Sequence, residues 1–192
     1  MNALLRKLGL GPERGAEFSV LMVCMGNICR SPTAEAVLRH KLLQAGLADR
    51  VRIDSAGTHS YHIGSPPDER AQAHARKRGI EMAGLRARRV TAKDLESFDL
   101  VLAMDEDNLV ELRDMAPPGS ESRIKLLMEF ARTRRDVREV PDPYYGAAAG
   151  FEQVLDLVDD ACQGLTSVLL RMLAGKAGSR ARLSADPGET QD

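Results

Sequence analysis

A cysteine, five further residues, an arginine and a serine stand together in Cys24-Met25-Gly26-Asn27-Ile28-Cys29-Arg30-Ser31. Residues of these types at this spacing suit attack on phosphorus. A short loop that ends at a helix N-terminus turns several backbone N–H groups inward and makes a nest for a tetrahedral anion. Arg30 adds a planar fork of donors matched to phosphate oxygens. At the rim of that positive field, Cys24 is expected as a nucleophilic thiolate. Simple core packing would account for a lone cysteine. It would not account for Gly26, Asn27 and Arg30 crowding the same turn. A nucleotide-binding loop would need Gly-x4-Gly-Lys-Ser/Thr, and no lysine lies here.

The flanking segments are the right ones to hold such a loop. Before it, Phe18-Ser-Val-Leu-Met-Val23 is apolar and rich in β-formers, which predicts a buried strand. After it, Ala34, Val37, Leu38 and Leu42 share one face of a predicted helix, with Ser31 as its cap and Pro32 in its first turn. Further strands are predicted at 51–55, 99–104 and 124–127. Helices are expected over 67–78, closed by Gly79, and from the Asp105 cap through Met115. Thr91 and Asp94 form a capping-box pattern. Phe151, Val154, Leu155, Val158, Ala161, Cys162, Leu165, Val168, Leu169 and Met172 repeat at helical spacing. Strands alternating with helices imply a parallel α/β sheet, whose ligands bind at the carboxyl ends of the strands. The Cys24 loop follows the first strand directly.

Composition narrows the class. The chain has 192 residues, 43% of them hydrophobic, and a net charge of −1. That fits one domain with a substantial core and gives no basic field for nucleic acid. Three cysteines cannot build a disulfide framework, and their odd number fits a reducing compartment, so a cytoplasmic protein is expected. No stretch is long and apolar enough to span a membrane, and the N-terminal apolar run is too short for a signal peptide. The four histidines show no metal-ligand spacing, so neither a metal nor another cofactor is expected.

VCMGNICRSPTAEAV, DSAGT, GSPPDERA, VTAKDLESFDLVLAMD and VPDPYYG occur in this order. Together they resemble the low-molecular-weight protein tyrosine phosphatases, most closely the bacterial branch, over roughly Ser19 to Leu173. The resemblance implies a single three-layer α/β domain, a central four-stranded parallel sheet flanked by helices, with the phosphate-binding loop after the first strand. That domain would span 18–174, after an N-terminal extension over 1–17 and before a disordered tail over 175–192. It implies hydrolysis of phosphotyrosine without a cofactor, through a cysteinyl-phosphate intermediate. Cys24 would be the nucleophile. Arg30 and the backbone amides of Met25, Gly26, Asn27, Ile28, Cys29 and Arg30 would hold the phosphoryl oxygens. Ser31 would hydrogen-bond the sulfur, and Asn27 would brace the loop through Ser55. Asp142 would be the general acid, because a phenolate leaves poorly unless protonated. Without the resemblance Asp142-Pro143 would read as a turn.

Met25, Tyr61, Tyr144 and Tyr145 would line the pocket for the phenyl ring. Cys29 would be a redox partner, forming a reversible disulfide with Cys24. The partners implied are phosphotyrosine proteins, a tyrosine kinase among them; neither the particular substrate nor the oligomeric state is legible. One departure stands out. Many relatives supply a histidine to the loop's hydrogen-bond network where this chain has Leu85, so a thinner brace is expected. Two other functions share parts of this pattern. A thiol-linked arsenate reductase of the same fold would need a relay of further cysteines, and residues 74–100 contain none. A silent phosphotyrosine-binding module would be expected to lack the nucleophile or the acid.

Overall fold

The apolar runs become strands covered on both faces, as their lack of alternation requires. The computed structural model describes residues 15–183 except 145 and 147. In chain order the elements are β1 (Phe18–Cys24), α1 (Arg30–Gln44), β2 (Val51–Gly57), α2 (Glu69–Lys77), α3 (Ala92–Ser97), β3 (Leu100–Ala103), α4 (Glu106–Met115), β4 (Ile124–Leu126) and α5 (Ala148–Leu183). Short 3-10 turns flank β4. The sheet order is β2-β1-β3-β4, every pair parallel, so the strand bearing the cysteine is central. Its register sets Cys24 beside Gly57 and Val23 beside Ala103.

Alternation along β1 divides the core into two layers. Val20, Met22 and Cys24 belong to the apolar cluster that includes α1, α2 and α5. Leu21 and Val23 join the cluster with Leu95 of α3 and Leu109 and Leu112 of α4. With the sheet between them, the helices complete three layers. The periodic stripe of α5 is buried from Phe151 through Leu169, with Val168 at its margin and Met172 exposed. Each fully buried leucine there stabilises the fold by about 1.5–3 kcal/mol. At Gly164 the helix passes so close to the turn after β4 that an added Cβ would sit 1.9 Å from the Phe130 carbonyl oxygen.

Several local expectations hold in detail. Thr91 and Asp94 exchange the two bonds of a capping box. Asp105 caps α4 by accepting from the Asn108 amide at 2.7 Å. Gly79 takes φ +72° just beyond α2, while the Ile80 amide reaches back to the Ala75 carbonyl at 3.1 Å.

Two boundaries differ from expectation. α1 begins at Arg30 and has no side-chain cap, because the Ser31 hydroxyl is turned into the loop. α5 continues through Leu183, past Gly175, where the sequence composition predicts a disordered tail. The helix formers among 174–183 (Ala174, Lys176, Ala177, Arg180, Ala181, Arg182 and Leu183) offset the roughly 1 kcal/mol cost of each intervening glycine. The rest of that tail and most of the N-terminal extension lie outside the described residues.

Candidate active site

β1 ends at Cys24 and α1 begins at Arg30, so the loop between them is fixed at both ends by core elements. Its carbonyls are engaged outward. Cys24 O accepts from the Thr58 amide, Met25 O from His59, Ile28 O from Asp68 and Cys29 O from Thr33. With the carbonyls drawn away, the N–H side of the loop turns toward the sulfur, and the Asn27 amide donates to Cys24 Sγ at 3.3 Å. Gly57 forms the wall behind it: a Cβ there would lie 2.6 Å from the Met25 oxygen.

Asn27 is the one non-glycine residue at positive φ among the described residues, at +54°. Its side chain repays that strain locally. The amide nitrogen donates to Ser31 Oγ and Ser55 Oγ, both at 2.9 Å. The Asn27 carbonyl oxygen accepts from the Arg88 amide at 2.9 Å, which fixes the orientation of the side-chain amide. Ser31 Oγ lies 3.0 Å from Cys24 Sγ. Since Asn27 donates to Ser31, the serine's own proton is directed to the sulfur at 3.0 Å or to the Ala56 carbonyl at 3.2 Å.

Beyond Ser55 the brace continues to Glu35, while the apolar Leu85 side chain offers no hydrogen bond to the loop. Leu85 packs against the core, and the outer end of the network is a buried carboxylate. Glu35 Oε2 accepts from Ser55 Oγ at 2.6 Å and Glu35 Oε1 from Arg39 Nε at 3.0 Å. Burial pushes its carboxyl above the ordinary range, against the opposing influence of Arg39 and the Ser55 hydroxyl.

Arg30 is buried and joins two distant carboxylates. One guanidinium nitrogen bonds Asp105 and the Val140 carbonyl; the other bonds Asp142 Oδ2 at 2.7 Å. Burial opposes the guanidinium charge, but Cys24, Asp105 and Asp142 together hold its pKa above the usual value. Asp142 is on the loop after Val140, whose amide bonds Met104 O at the end of β3. Its other carboxylate oxygen accepts from the Tyr144 amide at 3.0 Å. The structure thus joins Cys24, Asn27, Ser31 and Ser55 in one set of hydrogen bonds and Arg30 and Asp142 in another, with the Arg30 charge felt at Cys24.

The pocket residues are more loosely gathered. Met25, Tyr61 and Tyr144 are exposed around the mouth. Tyr61 stacks on His59 at 5.3 Å, and the Tyr144 ring lies 6.2 Å from that of His62. His62 borders the loop, since a Cβ on Gly26 would be 3.1 Å from its ring. Tyr145 lies outside the described residues. Cys29 is buried, and burial, with Asp68 and Cys24 adding to it, pushes its thiol pKa upward. Cys162 is buried in α5 with the Ala34 carbonyl as its neighbour.

Asp105 and Glu35 are the partners that sequence reasoning missed. Asp105 had a signal, since it follows β3 at the carboxyl end of the sheet, where ligands bind. Glu35 had none beyond its place one turn from Ser31.

Comparison with known proteins agrees with this geometry. Residues 19–175 match the family described as low molecular weight phosphotyrosine protein phosphatase. The chain is 44% identical over 147 residues to the low molecular weight protein-tyrosine-phosphatase YfkJ of Bacillus subtilis, covering 77% of this chain and 92% of that protein. To the human low molecular weight phosphotyrosine protein phosphatase it is 40% identical over 147 residues, covering 76% and 91% of the two chains. The crystal structure of a protein tyrosine phosphatase from Entamoeba histolytica superposes with a TM-score of 0.77 at 40% identity, covering 83% of this chain and 99% of that one. The chain belongs to the low-molecular-weight protein tyrosine phosphatase family.

Proposed function

We propose that this chain hydrolyses phosphotyrosine in proteins by double displacement, with Cys24 as nucleophile and Asp142 as acid and then base. The observation that carries the reading is Arg30, buried between the nucleophile loop and the acid and bonded to Asp142 at 2.7 Å. A phosphate dianion entering the nest would take up the guanidinium fork and the loop amides and release Asp142 from Arg30. Cys24 Sγ then attacks phosphorus as the bond to the tyrosyl oxygen breaks. Asp142, freed from Arg30 and protonated from solvent, gives that oxygen its proton, and the leaving group departs as a neutral phenol. In the second step water attacks phosphorus, Asp142 takes its proton, and the sulfur–phosphorus bond breaks to release phosphate and the thiolate. Ser31 steadies the sulfur as attacker and as leaving group from 3.0 Å.

Met25, Tyr61, Tyr144 and Tyr145 are the residues we assign to the phenyl ring and its flanks, with the catalytic unit over 18–174. We assign the substrate to tyrosine-phosphorylated proteins, kinases included, and three free cysteine thiols fit a cytoplasmic setting. Among the described residues, no helix is long and apolar enough to cross a membrane.

Assay of the wild type and Cys24→Ser on para-nitrophenyl phosphate, with and without chelator, tests the mechanism. Full activity in chelator and none in the variant is the expected result; loss on chelation overturns it. A pull-down with the Cys24→Ser or Asp142→Ala protein would then capture the phosphoprotein substrate.

A further inference from the structure

The two halves of the site are joined a second time, on the side away from Arg30. Asp68, the cap of α2, donates its amide to Ile28 O in the nucleophile loop at 2.8 Å. Its carboxylate accepts from Arg70 twice, Nε at 3.0 Å and Nη2 at 2.8 Å. The same Nη2 reaches the Tyr144 carbonyl at 3.2 Å. The guanidinium also lies over two rings, 4.7 Å from the centre of Phe151 and 5.7 Å from that of Tyr144. Tyr144 in turn donates its amide to Asp142. Loop, α2 cap, Arg70, Tyr144, Asp142 and Arg30 therefore close a ring that returns to the loop it left.

We propose that Arg70 is a positioning residue that sets the Asp142–Tyr144 segment over the Cys24 loop, so that the acid meets the leaving oxygen. The proposal rests on Asp142 being the general acid. An ordinary ion pair at the start of a helix would explain the contacts to Asp68 alone. It would not explain the carbonyl of Tyr144 or the two rings, which belong to segments more than seventy residues downstream. Arginine is the residue the position needs. Its fork serves Asp68 through Nε and Nη2, the second N–H of that same Nη2 reaches the carbonyl, and its flat face covers the rings. Lysine, a point charge on a flexible stem, supplies one of these functions at a time. The side chain is 46% exposed, so the ion pair itself contributes little to stability, and its removal leaves a folded protein to assay.

The test compares kcat/KM, which reports cleavage of the ester bond, on phenyl phosphate and para-nitrophenyl phosphate. The proteins are wild type, Arg70→Ala, Arg70→Lys, Arg70→Gln, Asp142→Ala and the Arg70→Ala/Asp142→Ala double variant. Displacing the acid is expected to cost Arg70→Ala roughly tenfold on phenyl phosphate, well short of the ~10²–10⁴ of acid catalysis as a whole. On the activated ester the loss stays below about twofold, because that leaving group needs little protonation. Inhibition by inorganic phosphate should be unchanged, since Arg70 does not face the nest, and the double variant should match Asp142→Ala alone. Lysine should recover part of the loss and glutamine less. Equal loss on both esters, weakened phosphate inhibition, or a further loss in the Asp142→Ala background overturns the role of Arg70. If Asp142→Ala itself loses equally on both esters, the acid assignment fails first and Arg70 falls with it.

Discussion

The two loops that meet at Arg30 are built on opposite principles. The Cys24 loop is buried apart from Met25 and Gly26, and it begins and ends on core elements. It engages the Cys24, Met25, Ile28 and Cys29 carbonyls and the Asn27 side chain with fixed partners. The Asp142 segment is exposed and reaches the rest of the site through the Val140 amide, Arg30 and Arg70. A rigid anion nest costs no reorganisation when charge develops on the phosphoryl oxygens. An acid must do two jobs in sequence, first giving a proton to the phenol and then taking one from water. A segment tethered at a few points lets the same carboxylate meet both. On the proposed mechanism, the densely bonded loop holds charge and the more exposed segment moves the proton.

Substitutions can break that contrast in order of severity. Cys24→Ser should abolish turnover, a loss of at least ~10⁴-fold, because the covalent route closes. Failure to trap phosphate on the protein after acid quench should accompany it. Arg30→Lys removes the fork that both loops share and should cost about 10²–10³ in kcat/KM, together with weaker phosphate inhibition. Asp142→Ala strikes the exposed half alone. It should lose about 10²–10⁴ on phenyl phosphate, far less on the nitrophenyl ester, and keep phosphate inhibition intact. Equal losses would make the two halves one catalytic unit and remove the division of labour.

The rigid half can be probed through its outer support. Asn27→Ala leaves a left-handed residue without its side-chain bonds and should lower stability by about 1–3 kcal/mol in denaturant titration, along with activity. Glu35 gives a signature in pH. Its folded pKa is raised by burial, so the native state holds a proton that the unfolded state has released. Its contribution is therefore complete below the unfolded carboxylate range and is lost as pH rises through the raised folded value. Glu35→Gln should flatten that part of the stability–pH curve. An unchanged slope would show that the network does not end on this carboxylate.

Smallest in basal effect is Cys29→Ser, which should turn over much as the wild type. Burial pushes the Cys29 thiol pKa upward, so the redox role expected of it would begin only after Cys24 is oxidised to the sulfenic acid. Peroxide should then remove two hydrogens from the wild-type peptide pair, reversibly with a thiol, and none from the variant.

Legibility in the sequence followed the range of the contacts. β1, the loop and α1 are contiguous, so Cys24, Asn27, Arg30 and Ser31 could be read from local residue types and spacing. Asp142 was legible only through its place in a family pattern, because nothing local distinguishes it from a turn aspartate. Asp105 shows the limit. Its helix cap is a local signal, and it hides that the other carboxylate oxygen serves Arg30. Glu35 is a polar residue one turn into a helix, which by itself suggests a solvent face. It is buried because β2 crosses over that turn and brings Ser55 to it. Ser31 was expected as a cap on the same local grounds, but the sulfur and Asn27 claim its hydroxyl instead.

The placement of the cysteine on the central strand has a consequence for synthesis. β1 leaves the ribosome before both of its neighbours, β2 and β3, and the partners of Arg30 follow 75 and 112 residues later. Until Asp105 and Asp142 emerge, the Arg30 guanidinium of the nascent chain lacks both of its carboxylate partners. The bonds around Arg30 are therefore completed more than a hundred residues after the arginine itself is made.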